Sequence, residues 1–225
     1  MNILELAGVV KTYPTHPPVY ALAGVDLKVA EGESVAILGR SGSGKSTLLN
    51  VLGLLDEPTE GTYRLLGTDT GDLSGASRDA FRARSLGFVF QESHVLGHRT
   101  VRENVWLRLA ISGVPHGERR ELVEGVLGRV GLTHRADAPG RLLSGGEKQR
   151  LAVARAVVSR PRVLLADEPS GNLDDSNTEQ VLDLFAEQAA AGVAVVVITH
   201  DSRTAAWADR TCVLVDGKIT EAGPR

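Results

Sequence analysis

A chain of 225 residues, 42% hydrophobic and 24% charged, has room for one substantial core and is too short for two units of a large enzyme. Its longest apolar run, around VAVVVIT, falls far short of the ~20 residues a membrane helix needs, and a net charge of −3 offers no basic footprint for nucleic acid. The lone Cys212 excludes an intramolecular disulfide or a cysteine metal cluster, and MNILELAGVV lacks the n-region of a signal peptide, so a cytoplasmic location is expected.

In chain order, GVDLKVA reads as a strand, Glu31-Gly32-Glu33 as a turn, SVAILG as a buried strand and KSTLLNVLGLL as a helix, with the glycine loop GRSGSGKST between the last two. GTYRLLGTD reads as a further strand, SRDAFRARS as a polar helix, and LGFVF as a short apolar strand ending at Gln91. The period then changes. From Thr100 to Val130 apolar residues recur at helical spacing, in TVRENVWLRLAIS and GERRELVEGVLGRV, with a break between Gly113 and Gly117. LLSGGEKQRLAVARA opens another helix. There follow a strand in RVLLAD, a helix from about Ser176 to Ala190, the strand VAVVVIT, a short helix SRTAAWA, and CVLVDGKITEAG with a hairpin turn at Asp216-Gly217. Continuous apolar strands alternating with helices predict an α/β fold whose parallel sheet is covered on both faces.

Four strand ends carry chemistry. Gly39 to Thr47 satisfies G-x-x-x-x-G-K-[ST] after an apolar strand and at a helix start, the context that a phosphate loop requires. Its amides would face a β-phosphate, Lys45 adds a positive charge, and the Ser46 hydroxyl can ligate Mg²⁺. RVLLADEP ends in two carboxylates: Asp167 fits a metal-orienting acid and Glu168 a general base that polarises water. His200 ends VVVITH, where an imidazole could donate to a γ-phosphate and hold the water, and the Gln91 amide can reach Mg²⁺ or that water.

Ser144-Gly145-Gly146-Glu147 fits a capping box, as do Thr100 and Glu103 in TVRENV. A cap needs no glycine, and glycine costs roughly 1 kcal/mol against alanine in a helix, so Gly145 and Gly146 suggest close approach of something to the backbone.

Together, GRSGSGKST, Gln91, LSGGEKQ, LLADEP, SGNLD (Ser170 to Asp174) and His200, in this order, resemble the nucleotide-binding subunit of ATP-binding cassette (ABC) transporters over essentially the whole chain. The resemblance implies a P-loop NTPase, RecA-like and mostly parallel in its sheet, with an N-terminal antiparallel β subdomain and an inserted α-helical subdomain. Residues 1–225 then form one unit: 1–91 and 155–225 the core with its antiparallel part, 92–154 the helical subdomain. In Walker A terms Gly39, Arg40, Ser41, Gly42, Ser43, Gly44, Lys45, Ser46 and Thr47 hold ATP, and Tyr13 matches the aromatic that stacks on adenine. The resemblance also implies a head-to-tail homodimer that sandwiches ATP between Walker A of one subunit and Ser144, Gly145, Gly146 and Glu147 of the other. A membrane permease would dock on the helical insert near Gln91, holding the chain peripherally at the inner face of the membrane. FVFQESHVLGHRTVRENV, LADEPSGNLD and ITHD look most like the branch of lipoprotein-releasing and macrolide-export ATPases, with the cell-division ATPase, which moves a partner without transport, close by. Glu147-Lys148 stands where Gln-Gln is common, and Ser170 where Thr is common. A DNA-repair ATPase with the same signature would carry a long coiled coil, and Leu48 to Ser144 shows no sustained heptad pattern.

Overall fold

The computed structural model describes residues 1–221. Two long strands open it, β1 (Asn2–Tyr13) and β2 (Val19–Ala30), the latter alternating buried Val25, Leu27 and Val29 with exposed Asp26 and Lys28. β3 (Ser34–Gly39) leads through the glycine loop into α1 (Lys45–Leu52). Next come β4 (Glu60–Leu65), β5 (Thr68–Asp69), α2 (Gly75–Ser85) and β6 (Leu86–Phe90). GTYRLLGTD is therefore a hairpin rather than one strand, because Leu66 (φ 54) and Gly67 (φ 76) both adopt left-handed backbone and turn the chain.

The helical stretch comprises α3 (Val101–Ile111), α4 (His116–Arg129) and α5 (Gly145–Val157), and α5 runs past residue 154 into the core. β7 (Val163–Asp167), α6 (Asp175–Ala190), β8 (Ala194–Thr199), α7 (Ser202–Trp207), β9 (Arg210–Val215) and β10 (Lys218–Glu221) complete it. Ala222 and Gly223 of the predicted last strand lie outside the described residues.

Two sheets form. The antiparallel one has the order β2-β1-β4-β5, and the larger one β10-β9-β3-β8-β7-β6, parallel throughout except for the β10 edge. Every residue of β8 is buried, as its unbroken apolar run requires of a parallel strand covered on both faces. One hydrophobic core fills the space between the antiparallel sheet, α1 and one face of the parallel sheet. The other packs the opposite face against α3, α4, α5 and α6. Tyr63 spans the first core: fully buried, its hydroxyl donates to the Leu52 carbonyl at 2.8 Å and fastens the antiparallel sheet to the end of α1. Burial pushes that hydroxyl's pKa up, so it stays a neutral donor.

The sheet order decides the site. Because β3, β8, β7 and β6 are successive parallel neighbours, with Leu38 opposite Thr199 and Ile198 and Phe90 both opposite Asp167, four sequence-distant strand ends line one edge.

Candidate active site

The glycine loop leaves α1 open at its start. Gly44 takes φ 103 as N-cap, no side chain caps the helix, and its first turn holds no acidic residue. A Cβ on Gly44 would collide with the Ala21 carbonyl oxygen, and one on Gly39 would stand 2.8 Å from the Leu214 carbonyl oxygen, so neither position has room for a side chain. Lys45 Nζ donates to the carbonyls of Gly39 (2.7 Å) and Arg40 (3.0 Å), and the latter also accepts from Ser43 N–H at 3.2 Å. The buried Ser43 hydroxyl has no hydrogen-bond partner. An uncapped helix start, an orphaned buried hydroxyl and a lysine held on carbonyls instead of a carboxylate suit a phosphate group.

Beside the loop lies a cleft of about 520 Å³, lined by Ser41, Gly42, Gly44, Lys45, Ser46 and Thr47 and by both aromatics of the first hairpin, Tyr13 and Tyr20. Tyr13 donates from its hydroxyl to Asp56 Oδ2 (3.0 Å), while Lys11 lies 5.3 Å from the ring centroid and pairs with Asp56 Oδ1 at 2.5 Å. Tyr20 is 67% exposed. Sequence reasoning missed Lys11 and Asp56, because neither stands in a motif.

Glu168 follows β7 in left-handed backbone (φ 45), held there by its N–H on the Ile198 carbonyl (2.8 Å) and its carbonyl on Gly171 N–H (3.1 Å). Such strain persists only where neighbouring bonds impose it. Its Oε2 accepts from the Thr199 hydroxyl (3.1 Å) and His200 N–H (3.3 Å), and its Oε1 lies 2.7 Å from His200 Nδ1. An ionised carboxylate only accepts, so Nδ1 carries the proton and donates. The imidazole's one neutral-state donor is thereby spent on Glu168. His200, 72% exposed in its side chain, here steadies the carboxylate, and it can donate to a phosphate only from a doubly protonated ring or after letting Glu168 go. Burial and the Glu168 charge beside it raise the Asp167 pKa, against the lowering pull of Lys45.

Gln91 is placed differently. It lies just past β6, its side chain against Gly171, and lines a groove with Gly145, Lys148, Gln149 and Asn172; the phosphate cleft is lined without it. The structure thus brings Lys45, Asp167, Glu168 and His200 together along one edge and sets Gln91 toward the helical insert.

At α5 the capping box is complete: Ser144 Oγ accepts from Glu147 N–H at 3.2 Å, and Glu147 Oε2 accepts from Ser144 N–H at 2.8 Å. That backbone bond, with Arg135 at 3.0 Å, pulls the Glu147 carboxyl down to about 2. α3 carries the same box, and the two amides the box leaves over are taken up within the chain, Val101 N–H on the Ala138 carbonyl (3.0 Å) and Arg102 N–H on that of Ala136 (2.9 Å). The matching amides of α5 belong to Gly145 and Gly146 and have no hydrogen bond among the described residues. Gly145 is exposed, with nothing within 4 Å of a Cβ position. Gly146 is buried, and a Cβ there would collide with the Asn177 side chain; close approach of a ligand is thus not the sole reason for the second glycine, as the sequence had suggested, because α6 packing also forbids a side chain.

The family profile described as "ABC transporter" matches residues 22–171. The chain belongs to this family. It is 43% identical over 220 residues to the lipoprotein-releasing system ATP-binding protein LolD of Geobacter metallireducens, covering 97% of this chain and 98% of the relative. It is 44% identical over 218 residues to the macrolide export ATP-binding/permease protein MacB of Chlorobium luteolum, and this match covers 96% of the chain but 33% of that longer relative. The chain therefore spans about a third of the length of the MacB proteins it matches. Among solved structures, the ATP-binding cassette MJ0796 in a dimeric post-hydrolysis state with ADP and Pi superimposes with a TM-score of 0.88 at 36% identity, over 99% of this chain and 100% of that one. The fold class and the ABC ATPase identity that the motifs implied both stand: the chain carries an ATP-binding ATPase domain of the ABC transporter type. Among the described residues no helix is long and apolar enough to cross a membrane.

Proposed function

We propose that two copies of this chain close head to tail on ATP and drive a membrane permease of the export or lipoprotein-extrusion type, working peripherally at the membrane's inner face. The observation that carries the dimer is the pair of unpaired amides on Gly145 and Gly146 at the start of α5, next to an exposed Ser144. A helix start left open on glycines offers an anion site, and Gly145 lines the Gln91 groove rather than the cleft of its own phosphate loop. The γ-phosphate of a partner-held ATP fits it. The dimeric state of the MJ0796 cassette supports the same arrangement.

In this reading the glycine-loop amides and Lys45 bind the phosphates, and Tyr13, with Tyr20 across the cleft, holds the base. The Ser46 hydroxyl and the Asp167 carboxylate would hold Mg²⁺, which when bound supplies positive charge at the phosphate oxygens; two carboxylates beside one lysine leave room for it. Glu168, fixed by Thr199 and His200, orients a water and accepts its proton as the water oxygen bonds to the γ-phosphorus and the bond from that phosphorus to the bridging oxygen breaks, so that ADP leaves and inorganic phosphate is formed. Gln91 joins this edge to the helical insert. There a cavity of about 520 Å³ between α2, β6 and α3 is lined by Leu55, Phe88, Phe90, Arg108 and Ile111, with Leu55 and Ile111 exposed. A mostly apolar groove at the end of the strand that precedes Gln91 supports permease docking.

The test is Glu168→Gln. The variant is expected to bind ATP, lose turnover by at least about 100-fold, and migrate as a dimer with ATP and a monomer without it on size-exclusion chromatography. A variant that stays monomeric at saturating ATP would overturn the sandwich.

A further inference from the structure

Helix α5 does more than present Ser144 and Gly145. Gln149, one turn into it and 3% exposed, points its amide nitrogen at two carbonyls from different segments: Phe90 (3.0 Å), which ends β6 and immediately precedes Gln91, and Pro169 (2.9 Å), which immediately follows Glu168. Both amide protons are thereby used. Arg155, further along the same helix, spreads its guanidinium over the carbonyls of Ser93 (2.5 Å) and His94 (2.8 Å), in the loop that follows Gln91. The buried Asn104 of α3 fixes the far end of that loop, its Oδ1 accepting from Leu96 N–H (2.9 Å) and its Nδ2 donating to the Leu96 carbonyl (3.2 Å). The segment carrying Gln91 is therefore shaped by side chains from the helical insert, and the loop carrying Glu168 hangs on the same Gln149 amide.

From these bonds we infer that Gln149 and Arg155 are positioning residues for hydrolysis, tying helix α5, near its start and near its end, to the segments that present Gln91 and Glu168. A shift of α5 that seats Gly145 on a partner's nucleotide then moves the backbone on either side of Gln91, and that next to Glu168, as one body. Neither residue touches nucleotide. Each acts through the group beside the carbonyls it holds. A lysine in place of Arg155 keeps the charge but has no planar fork to serve two carbonyls at once. The inference rests on the roles proposed above for Glu168 and Gln91.

The experiment compares Gln149→Leu, Arg155→Lys, Glu168→Gln and Arg119→Lys in the full chain. Arg119 gives up a comparable carbonyl contact, to Val114 at the far end of the insert, and controls for general loosening. Steady-state kinetics with ATP and Mg²⁺ are expected to show kcat about 10-fold lower in Gln149→Leu and Arg155→Lys with KM for ATP within about 2-fold, and no change in Arg119→Lys. Amide hydrogen exchange over residues 91–97 should quicken in the Arg155 variant. Should Gln149→Leu not fold, Arg155→Lys decides alone. Parent-like kcat in folded Arg155→Lys, with Glu168→Gln inactive, overturns the inference and leaves the site reading intact. Parent-like turnover in Glu168→Gln overturns both.

Discussion

Gly145 and Gly146 are adjacent, yet alanine should affect them through different parts of the assembly. At Gly145 the new methyl meets nothing within 4 Å in its own chain. Replacing glycine by alanine in a helix is worth up to about 1 kcal/mol, and a chain of this size gains about 2–4 °C in Tm per kcal/mol, so Gly145→Ala should melt at or a few degrees above the parent. At Gly146 the methyl displaces the Asn177 amide, which donates to both Asp174 carboxylate oxygens (2.9 Å each) and accepts from Arg150 (3.0 Å). Three side-chain bonds at about 1 kcal/mol each, less about 1 kcal/mol of helix propensity, give a net loss near 2 kcal/mol and a Tm about 4–8 °C lower. Turnover should fall in both. In Gly145→Ala the N–H remains but the methyl holds a charged phosphate off it; loss of that bond, about 1.5–3 kcal/mol, corresponds to about 10- to 160-fold in kcat, with nucleotide affinity of the isolated subunit unchanged. Scanning calorimetry, equilibrium nucleotide binding and ATP turnover read the three quantities separately. A Gly145→Ala chain that is stable and turns over like the parent would refute the assignment of that amide to a partner's nucleotide.

Three further outcomes follow from other contacts. The Glu147 carboxyl, held at about 2 against an ordinary 4.5, contributes stability that is fully present above pH 4.5 and is lost as pH falls through about 2, so Glu147→Gln should flatten the acid limb of a Tm-versus-pH curve. Alanine at Gly44 forces a side chain at φ 103 into the Ala21 carbonyl oxygen and should weaken ATP binding by at least about 10-fold, seen by titration with a fluorescent ATP analogue. Asp56→Ala frees the Tyr13 hydroxyl and leaves the Lys11 ammonium only the Glu57 carbonyl (2.9 Å); it should raise Kd for ATP several-fold without lowering saturated kcat, and unchanged affinity would shift the base-holding role to Tyr20.

What could be read in advance was whatever is local. β3 and β8 are unbroken apolar runs, and the phosphate loop carries its spacing and its flanking elements with it. Four strand ends could be named before the structure, since each strand ends in a residue that strands rarely need. Their order along the edge could not, because it depends on pairings such as Leu38 with Thr199, which no local pattern encodes. The Leu66-Gly67 turn escaped for a smaller reason: leucine in left-handed backbone is a choice made by the surrounding sheet and has no turn signature of its own. Gln149 and Arg155 escaped because a polar residue on a helix ordinarily reads as solvent-facing; what buries them is the set of carbonyls at Phe90, Ser93, His94 and Pro169.

The two capping boxes show where local reading stops and geometry takes over. TVRENV and SGGEKQ satisfy the same side-chain rule, and in both the box serves the first and fourth amides of the helix start. The middle pair decides the difference. In α3 those amides meet the Ala136 and Ala138 carbonyls, and the helix is closed by its own chain. In α5 they have no partner among the described residues, and both belong to residues without side chains, Gly145 exposed and Gly146 buried. α1 repeats the condition in stronger form, with no cap of any kind and a glycine at φ 103. Of these three glycine- or box-started helices, α1 and α5 are left open and α3 is closed by its own chain. α5 and α1 open into different grooves of one chain, as the proposed head-to-tail dimer requires.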